Sequence, residues 1–370
     1  MKEQQEIVKQ FVKLVEIDSL SKYEGEIAKK LQFILEDLGL EVEFDSAGEK
    51  VGGETGNLIA KLNQDSNFPT LMLNAHMDTV SPGEGIKAVI KDGIISSQGD
   101  TILGADDKAG LAIILDTVKK VIEKEVEINL EVVFTIGEET GLLGAKNLDY
   151  SLLESEFCLA FDSGGEIGTI IVNAPAQDAI NIKVRGKSAH AGVNPSDGIN
   201  AIKVASKALS SVHLGQIDEK TTANIGVIKG GQATNIVPDY VELEGEARSR
   251  DEKKLVRQSK HMCNKFKEAA DKYKAKVEIN VERIYPLFDL ERNNILVETA
   301  IKAAKKINVK PQLKSTGGGS DANIFNGNGI TTINLGIGME NVHSTDEQIK
   351  VSDLLKAAEF SFAINQEMAN

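Results

Sequence analysis

Five short segments put histidines and acids where metal-assisted hydrolysis needs them. His76 and Asp78 close the run Leu71-Met72-Leu73-Asn74-Ala75-His76-Met77-Asp78, two residues apart at the end of an apolar stretch. A neutral imidazole binds first-row metals and commonly gives its other ring N–H to a carboxylate, so His76 reads as a ligand and Asp78 as the group that orients it. Asp106, the adjacent pair Glu138-Glu139, Asp162 and His343 follow at turns further along. Imidazoles and carboxylates without cysteine suit zinc, manganese or cobalt in a hydrolytic site. A two-metal site needs one bridging ligand and about two further ligands per ion, with the ions about 3.5–4 Å apart. These residues supply a bridging carboxylate, two histidines, two terminal carboxylates, an orienting aspartate and one carboxylate left to handle protons. In Glu138-Glu139 neighbouring side chains diverge, so one can bind metal while the other faces the attacking water.

The elements that must position these residues are legible as periodicities. Ile7, Phe11, Val12 and Val15, then Ile27, Leu31, Ile34 and Leu35, recur at helical spacing and predict helices over 3–16 and 23–38. Residues 40–44, 57–61, 70–74, 128–136 and 157–161 read as strands, and 86–95 as a hairpin turning at Lys91-Asp92-Gly93. The repeated order is strand, acid or histidine, glycine-rich turn, which is how open α/β sheets present functional residues at the carboxyl ends of their strands. After Ala174-Pro175-Ala176 the pattern becomes strand 178–185, helix 197–212, strand 222–229, strand 237–247, helix 251–271 and strand 275–284. That β-α-β-β-α-β order is ferredoxin-like. The predicted fold is therefore α/β: an open mixed α/β/α catalytic domain of residues 1–175 and 287–370, with an inserted ferredoxin-like α+β lid or dimerisation domain of residues 176–286. A sheet edge near 178–184 or 240–246 is expected to stand exposed and to pair with its twin in a homodimer.

Composition narrows the partners. A net charge of −14 and a pI near 5.0 disfavour nucleic acid or an anionic membrane, either of which needs a basic face. Met1-Lys2-Glu3-Gln4-Gln5-Glu6 is polar rather than an apolar signal region, and no run of about 18 apolar residues occurs, so a cytoplasmic location is expected. Cys158 and Cys263 are far apart, and Cys158 lies in the apolar run 157–161, so no disulfide framework is expected.

In order and spacing, His76-x-Asp78, Gly104-Ala105-Asp106-Asp107-Lys108, Glu138-Glu139, Asp162-Ser163-Gly164, Ser188-Ala189-His190-Ala191-Gly192 and Asn341-Val342-His343 resemble the di-zinc metallopeptidases that include aminoacylases, glutamate carboxypeptidases and tripeptidase T. The resemblance covers nearly the whole chain, and the nearest branch is tripeptidase T. It implies that Asp106 bridges two divalent ions, zinc first with cobalt or manganese as alternatives. It implies that His76 and Asp162 complete one ion's site and Glu139 and His343 the other, that Glu138 is the general base, and that Asp107 follows a cis peptide bond. His190 would polarise the scissile carbonyl, Asn235 would hold a substrate oxygen, and Arg248 would grip a substrate carboxylate through two parallel hydrogen bonds. His213 and His261 receive no part.

The activity implied is that of a metal-dependent exopeptidase, cleaving short peptides in the manner of a tripeptide aminopeptidase through a metal-bridging water activated by a glutamate. Gly137 and Thr316 stand where tripeptidase T proper tends to carry an aspartate and an arginine, which leaves substrate length and terminus preference open. An N-acyl amino acid deacylase or carboxypeptidase of the same family is the alternative. A metal- or peptide-binding protein without turnover is the non-enzymatic one, although a pure binder has no need of Glu138. Gly186-Lys187-Ser188 resembles the tail of a phosphate loop but lacks the glycine required at Asn181, and no Gly-x-Ser-x-Gly elbow is present.

Overall fold

The computed structural model describes residues 2–370; Met1, the first residue of the polar opening stretch, lies outside them. The chain divides into two units, the first running to Val172 and including Leu290–Ser315 and Ser320–Asn370, the second comprising Asn173–Asp289 and Thr316–Gly319. The loop 316–319 groups with the second unit through local contacts. Thr316 N–H donates to the Asn173 carbonyl at 2.9 Å, and any side chain at Gly319 would collide with the Tyr285 ring.

In the first unit a mixed sheet runs in the order Glu41–Phe44, Leu58–Leu62, Asn129–Thr135, Thr70–His76, Phe157–Ser163, Thr331–Gly336, Thr169–Ala174. The middle four strands are parallel and the flanking three antiparallel. Parallel strands are covered on both faces and so need continuous apolar runs rather than alternation. Accordingly every residue of Asn129–Thr135 is buried, and so are Leu71, Met72, Leu73 and Ala75. Helix Lys2–Val15 presents Ile7, Phe11, Leu14 and Val15 as one apolar stripe against helix Ala105–Glu123, which itself packs on Thr70–His76 and on Val351–Met368. Phe11 is fully buried, and its replacement by alanine would cost about 3–5 kcal/mol.

A small sheet in the order Met339–Glu340, Gln348–Lys350, Ile94–Ser97, Ala88–Lys91 also belongs to this unit. Its hairpin turns at Asp92-Gly93, both with positive φ (52° and 80°), the type I′ geometry that matches strand twist. Through Gln348–Lys350 the hairpin holds the segment that carries His343.

The second unit is a five-stranded antiparallel sheet, Gly215–Asp218, Thr221–Gly230, Tyr240–Ser249, Ala176–Arg185, Lys276–Tyr285, with helices Ala201–Leu209 and Glu252–Tyr273 on one face. Ile180, Ile182 and Val184 alternate inward to meet Val204, Leu255, Met262 and Phe266, the period-two pattern of a half-covered sheet. It is the ferredoxin-like arrangement with one added strand, Gly215–Asp218. The expected edges are corrected here. Ala176–Arg185 lies between Tyr240–Ser249 and Lys276–Tyr285, and Tyr240–Ser249 is likewise paired on both sides. The β-α-β-β-α-β connectivity sends its first and third strands to the centre, so the edges are Gly215–Asp218 and the charge-rich Lys276–Tyr285. Among the described residues no helix is long and apolar enough to cross a membrane, and Cys158 and Cys263 are free.

Candidate functional site

The carboxyl ends of the parallel strands in the first unit converge. His76 ends Thr70–His76, Gly137-Glu138-Glu139 follows Asn129–Thr135, and Asp162 lies near the end of Phe157–Ser163. Asp106 and Asp107 sit in the irregular opening of Ala105–Glu123, with non-helical backbone and a cis peptide bond between them. His343 occupies a loop residue with left-handed backbone (φ 61°).

Asp106 offers one oxygen to each histidine: Oδ1 is 3.1 Å from His76 Nε2, and Oδ2 is 3.3 Å from His343 Nε2. Asp162 Oδ1 lies 4.0 Å from His76 Nε2, and Glu139 Oε1 lies 2.8 Å from His343 Nε2. Ligand atoms of His76, Asp106 and Glu139 all fall within 4.8 Å of one another. Asp78 meets His76 through both its main chain and its carboxylate. His76 Nδ1 is nearer the Asp78 main-chain carbonyl (2.9 Å) than its Oδ1 (3.4 Å). The Asp78 carboxylate also accepts the N–H groups of Glu138 (2.9 Å) and Glu139 (3.2 Å) and the Ser21 hydroxyl (2.5 Å).

The electrostatics are those of crowded acids. Burial pushes the Glu138 carboxyl well above its usual range, with the Asp162 charge adding to it, and burial followed by the Asp106 charge does the same to Asp162. Burial would lower the His76 imidazole, but hydrogen bonds to Asp106 and Asp78 outweigh it and raise it. His343, bonded to Asp106 and then Glu139, is pushed up to about 10. Burial alone would raise Asp106, yet its two histidines hold it well below the usual carboxylate range.

The ion pairs of these carboxylates are with His76 and His343, so buried negative charge exceeds the positive charge beside it. Such a set is stable when cations compensate it. Two imidazoles and three carboxylates without sulfur form a donor set that two borderline-hard divalent ions fit.

Several supporting residues escaped sequence reasoning. Glu347, 1% exposed, accepts the N–H groups of Gly104 (2.7 Å) and Asp106 (3.0 Å) and so fixes the loop that presents Asp106. Asn334 brackets Asp162, accepting its N–H (3.0 Å) and donating to its carbonyl (2.9 Å). Asp321 accepts the Thr135 hydroxyl at 2.5 Å, and burial raises its carboxyl to about 6. For Asp321 a signal existed, the glycine run that precedes it; Glu347 had none.

The remaining candidates, His190, Asn235 and Arg248, lie in the second unit. His190 is exposed, and its Nδ1 accepts the N–H groups of Gly192 and Val193 at 3.2 Å each, which fixes the ring within its own loop. Ala191 N–H donates to the Asn235 carbonyl at 2.9 Å, so these two loops are joined. Arg248 is held by Glu246 through Nε to Oε1 (2.9 Å) and Nη2 to Oε2 (3.0 Å). His213 and His261 stack on each other with ring centroids 4.6 Å apart.

Residues 72–366 match Peptidase family M20/M25/M40, and the chain belongs to that family. Within it, the chain is 44% identical to aminopeptidase PepT from Bacillus cereus ATCC 10987, with 99% of both chains covered and a TM-score of 0.93. It is 41% identical to a tripeptidase from Staphylococcus aureus subsp. aureus Mu50, covering 99% of this chain and 98% of that one, with a TM-score of 0.95. The YqjE protein of Bacillus subtilis (strain 168) is 44% identical over 370 residues, the full length of both.

Proposed function

We propose that this peptidase is a two-metal exopeptidase acting on short peptides, in the manner of a tripeptide aminopeptidase. The observation that carries the reading is Asp106, one oxygen toward His76 and the other toward His343. His76, Asp106 and Asp162 would hold one ion, and Asp106, Glu139 and His343 the other, zinc first with cobalt or manganese as alternatives. When bound, such ions supply Lewis acidity toward a carbonyl and lower the pKa of water to about 7.

The protein's own groups do the rest. Glu138 accepts a proton from the attacking water and delivers it to the leaving amine. Asp78 fixes His76 and, through the backbone of Glu138 and Glu139, the aim of both carboxylates. His190 serves the oxyanion of the tetrahedral intermediate, Asn235 a substrate oxygen and Arg248 a substrate carboxylate. With the terminal carboxylate gripped at a fixed distance, short substrates with a free C-terminus are favoured. The second unit acts as lid and as the contact of a cytoplasmic homodimer, its free edge being Lys276–Tyr285 or Gly215–Asp218 rather than a central strand.

Likeness to an aminopeptidase PepT and to a tripeptidase at above 40% identity supports the peptide substrate. The test is metal content of the purified protein together with turnover of a di- and tripeptide panel, with N-acetyl amino acids alongside, before and after chelation. Two metal equivalents and chelator-sensitive tripeptide cleavage are expected. Preference for the N-acetyl amino acids would make the enzyme a deacylase, and full turnover without metal would end the two-metal reading.

A further inference from the structure

We propose that Ser21 and Glu24 are positioning residues that set the aim of the Glu138-Glu139 turn, an inference that rests on Glu138 as the proton-transfer group. Three successive backbone N–H groups of that turn end on buried carboxylates. Gly137 N–H donates to Glu24 Oε1 (3.0 Å), Glu138 N–H to Asp78 Oδ1 (2.9 Å) and Glu139 N–H to Asp78 Oδ2 (3.2 Å). Ser21 Oγ closes the arrangement on Asp78 Oδ2 at 2.5 Å. Glu24 and Asp78 are both 0% exposed, so these bonds form in a poorly solvated interior where hydrogen bonds to carboxylates are strong.

The segment that carries Ser21 and Glu24 is anchored independently of the turn. Leu20 bridges Thr79, Thr79 N–H donates to the Ser19 carbonyl at 2.9 Å, and Glu54 N–H donates to the Lys22 carbonyl at 3.0 Å. It is therefore a fixed platform for the turn to lean on. Glu24 is also an expensive way to hold a turn, since its Oε2 is buried without a hydrogen-bond partner. What offsets that cost is the placement of Gly137, which depends on an acceptor oxygen at this position. Adjacent glutamates with separate tasks need that placement: Glu139 turns to His343, and Glu138 must stay off the ligand set. A displacement of about 1 Å in a catalytic group costs up to roughly 100-fold in rate.

The experiment compares full-length, zinc-loaded Ser21→Ala, Glu24→Ala and Glu24→Gln with the parent, with Glu138→Gln as reference. It measures kcat and KM on a tripeptide, bound metal, and amide hydrogen exchange at residues 137–139. Glu24→Ala should lower kcat by roughly 10- to 100-fold with KM nearly unchanged, two metals retained and faster exchange in the turn. Glu24→Gln, whose amide oxygen can accept the same N–H, should recover most of that loss, and Ser21→Ala should lose less than Glu24→Ala. Parent-like kcat and exchange in both alanine variants, with Glu138→Gln inactive, overturns the proposal. So does Glu24→Gln falling as low as Glu24→Ala. If Glu138→Gln itself turns over normally, the reading of Glu138 fails instead, and the exchange data still decide whether Ser21 and Glu24 hold the turn. Should Glu24→Ala not fold, Ser21→Ala and Glu24→Gln decide by the same measurements.

Discussion

His76, Asp78 and Asp107 of the first unit are 2% exposed or less, and their polar atoms are engaged by neighbouring side chains and backbone. His190 and Asn235 of the second unit lie open to solvent, and Arg248 is half-buried against Glu246. Buried acids are held in fixed positions by their own desolvation, because every lost hydrogen bond would leave a carboxylate stranded. Exposed groups cost nothing to leave unpaired and can exchange one partner for another. The first arrangement suits ions and proton transfer; the second suits a substrate that arrives and leaves.

If the contrast is sound, substitutions should separate by unit. Asp106→Ala is expected to have the largest effect: both metal equivalents lost and hydrolysis reduced to background, read by metal analysis and peptide turnover. Retention of two ions would break the assignment of Asp106 as the shared ligand. Glu138→Gln should keep both ions and lose turnover by about 10²–10⁴-fold. In the second unit, His190→Ala should lower kcat by roughly 10²-fold with metal content intact. Arg248→Ala should act on substrate choice instead. Amidating the C-terminus of a good tripeptide should lower kcat/KM sharply in the parent and little in the variant. Equal cleavage of amidated and free peptides by the parent would remove Arg248 from substrate binding.

The smallest expected effect is on stability and depends on pH. Burial raises the Glu24 carboxyl from 4.5 to about 7 in the folded chain. Between those values the folded state holds a proton that the unfolded state has released, so stability falls as pH rises through this window and levels off above it. The loss is on the order of 3 kcal/mol. Glu24→Gln should therefore gain on the parent between pH 4.5 and 7 in urea unfolding, and a constant difference from pH 5 to 8 would contradict this.

Sequence made the strand-end acids legible because each follows an apolar run that can only be a buried strand, as Asn129–Thr135 does before Glu138-Glu139. The inserted unit's order of strands and helices was readable for the same reason. Its edges were not, since period-two alternation says which face a residue takes and nothing about which strand lies beside it. Gly215–Asp218, short and largely exposed, gave no pattern at all. Ser21, Glu24 and Glu347 stayed hidden because each earns its place by accepting backbone N–H groups or supporting a residue that does, from 57 to 243 residues away along the chain. No composition or spacing rule reports such a bond. Arg248 was legible as a cation, but its fork being already taken by Glu246 was not.

Because the first unit is split by the second, its site is written in two instalments. His76, Asp106, Glu138, Glu139 and Asp162 precede residue 173, while Asn334, His343 and Glu347 follow residue 320. On the ribosome, the earlier group waits through the synthesis of more than a hundred residues before strand Thr331–Gly336 can add to Phe157–Ser163 and Glu347 can reach the Asp106 loop. Such long-range pairings come late and slowly in folding. A chain stopped short of residue 343 would carry most of the acids and only one of the two histidines that flank Asp106, so the centre cannot assemble until the segment after residue 320 has been made.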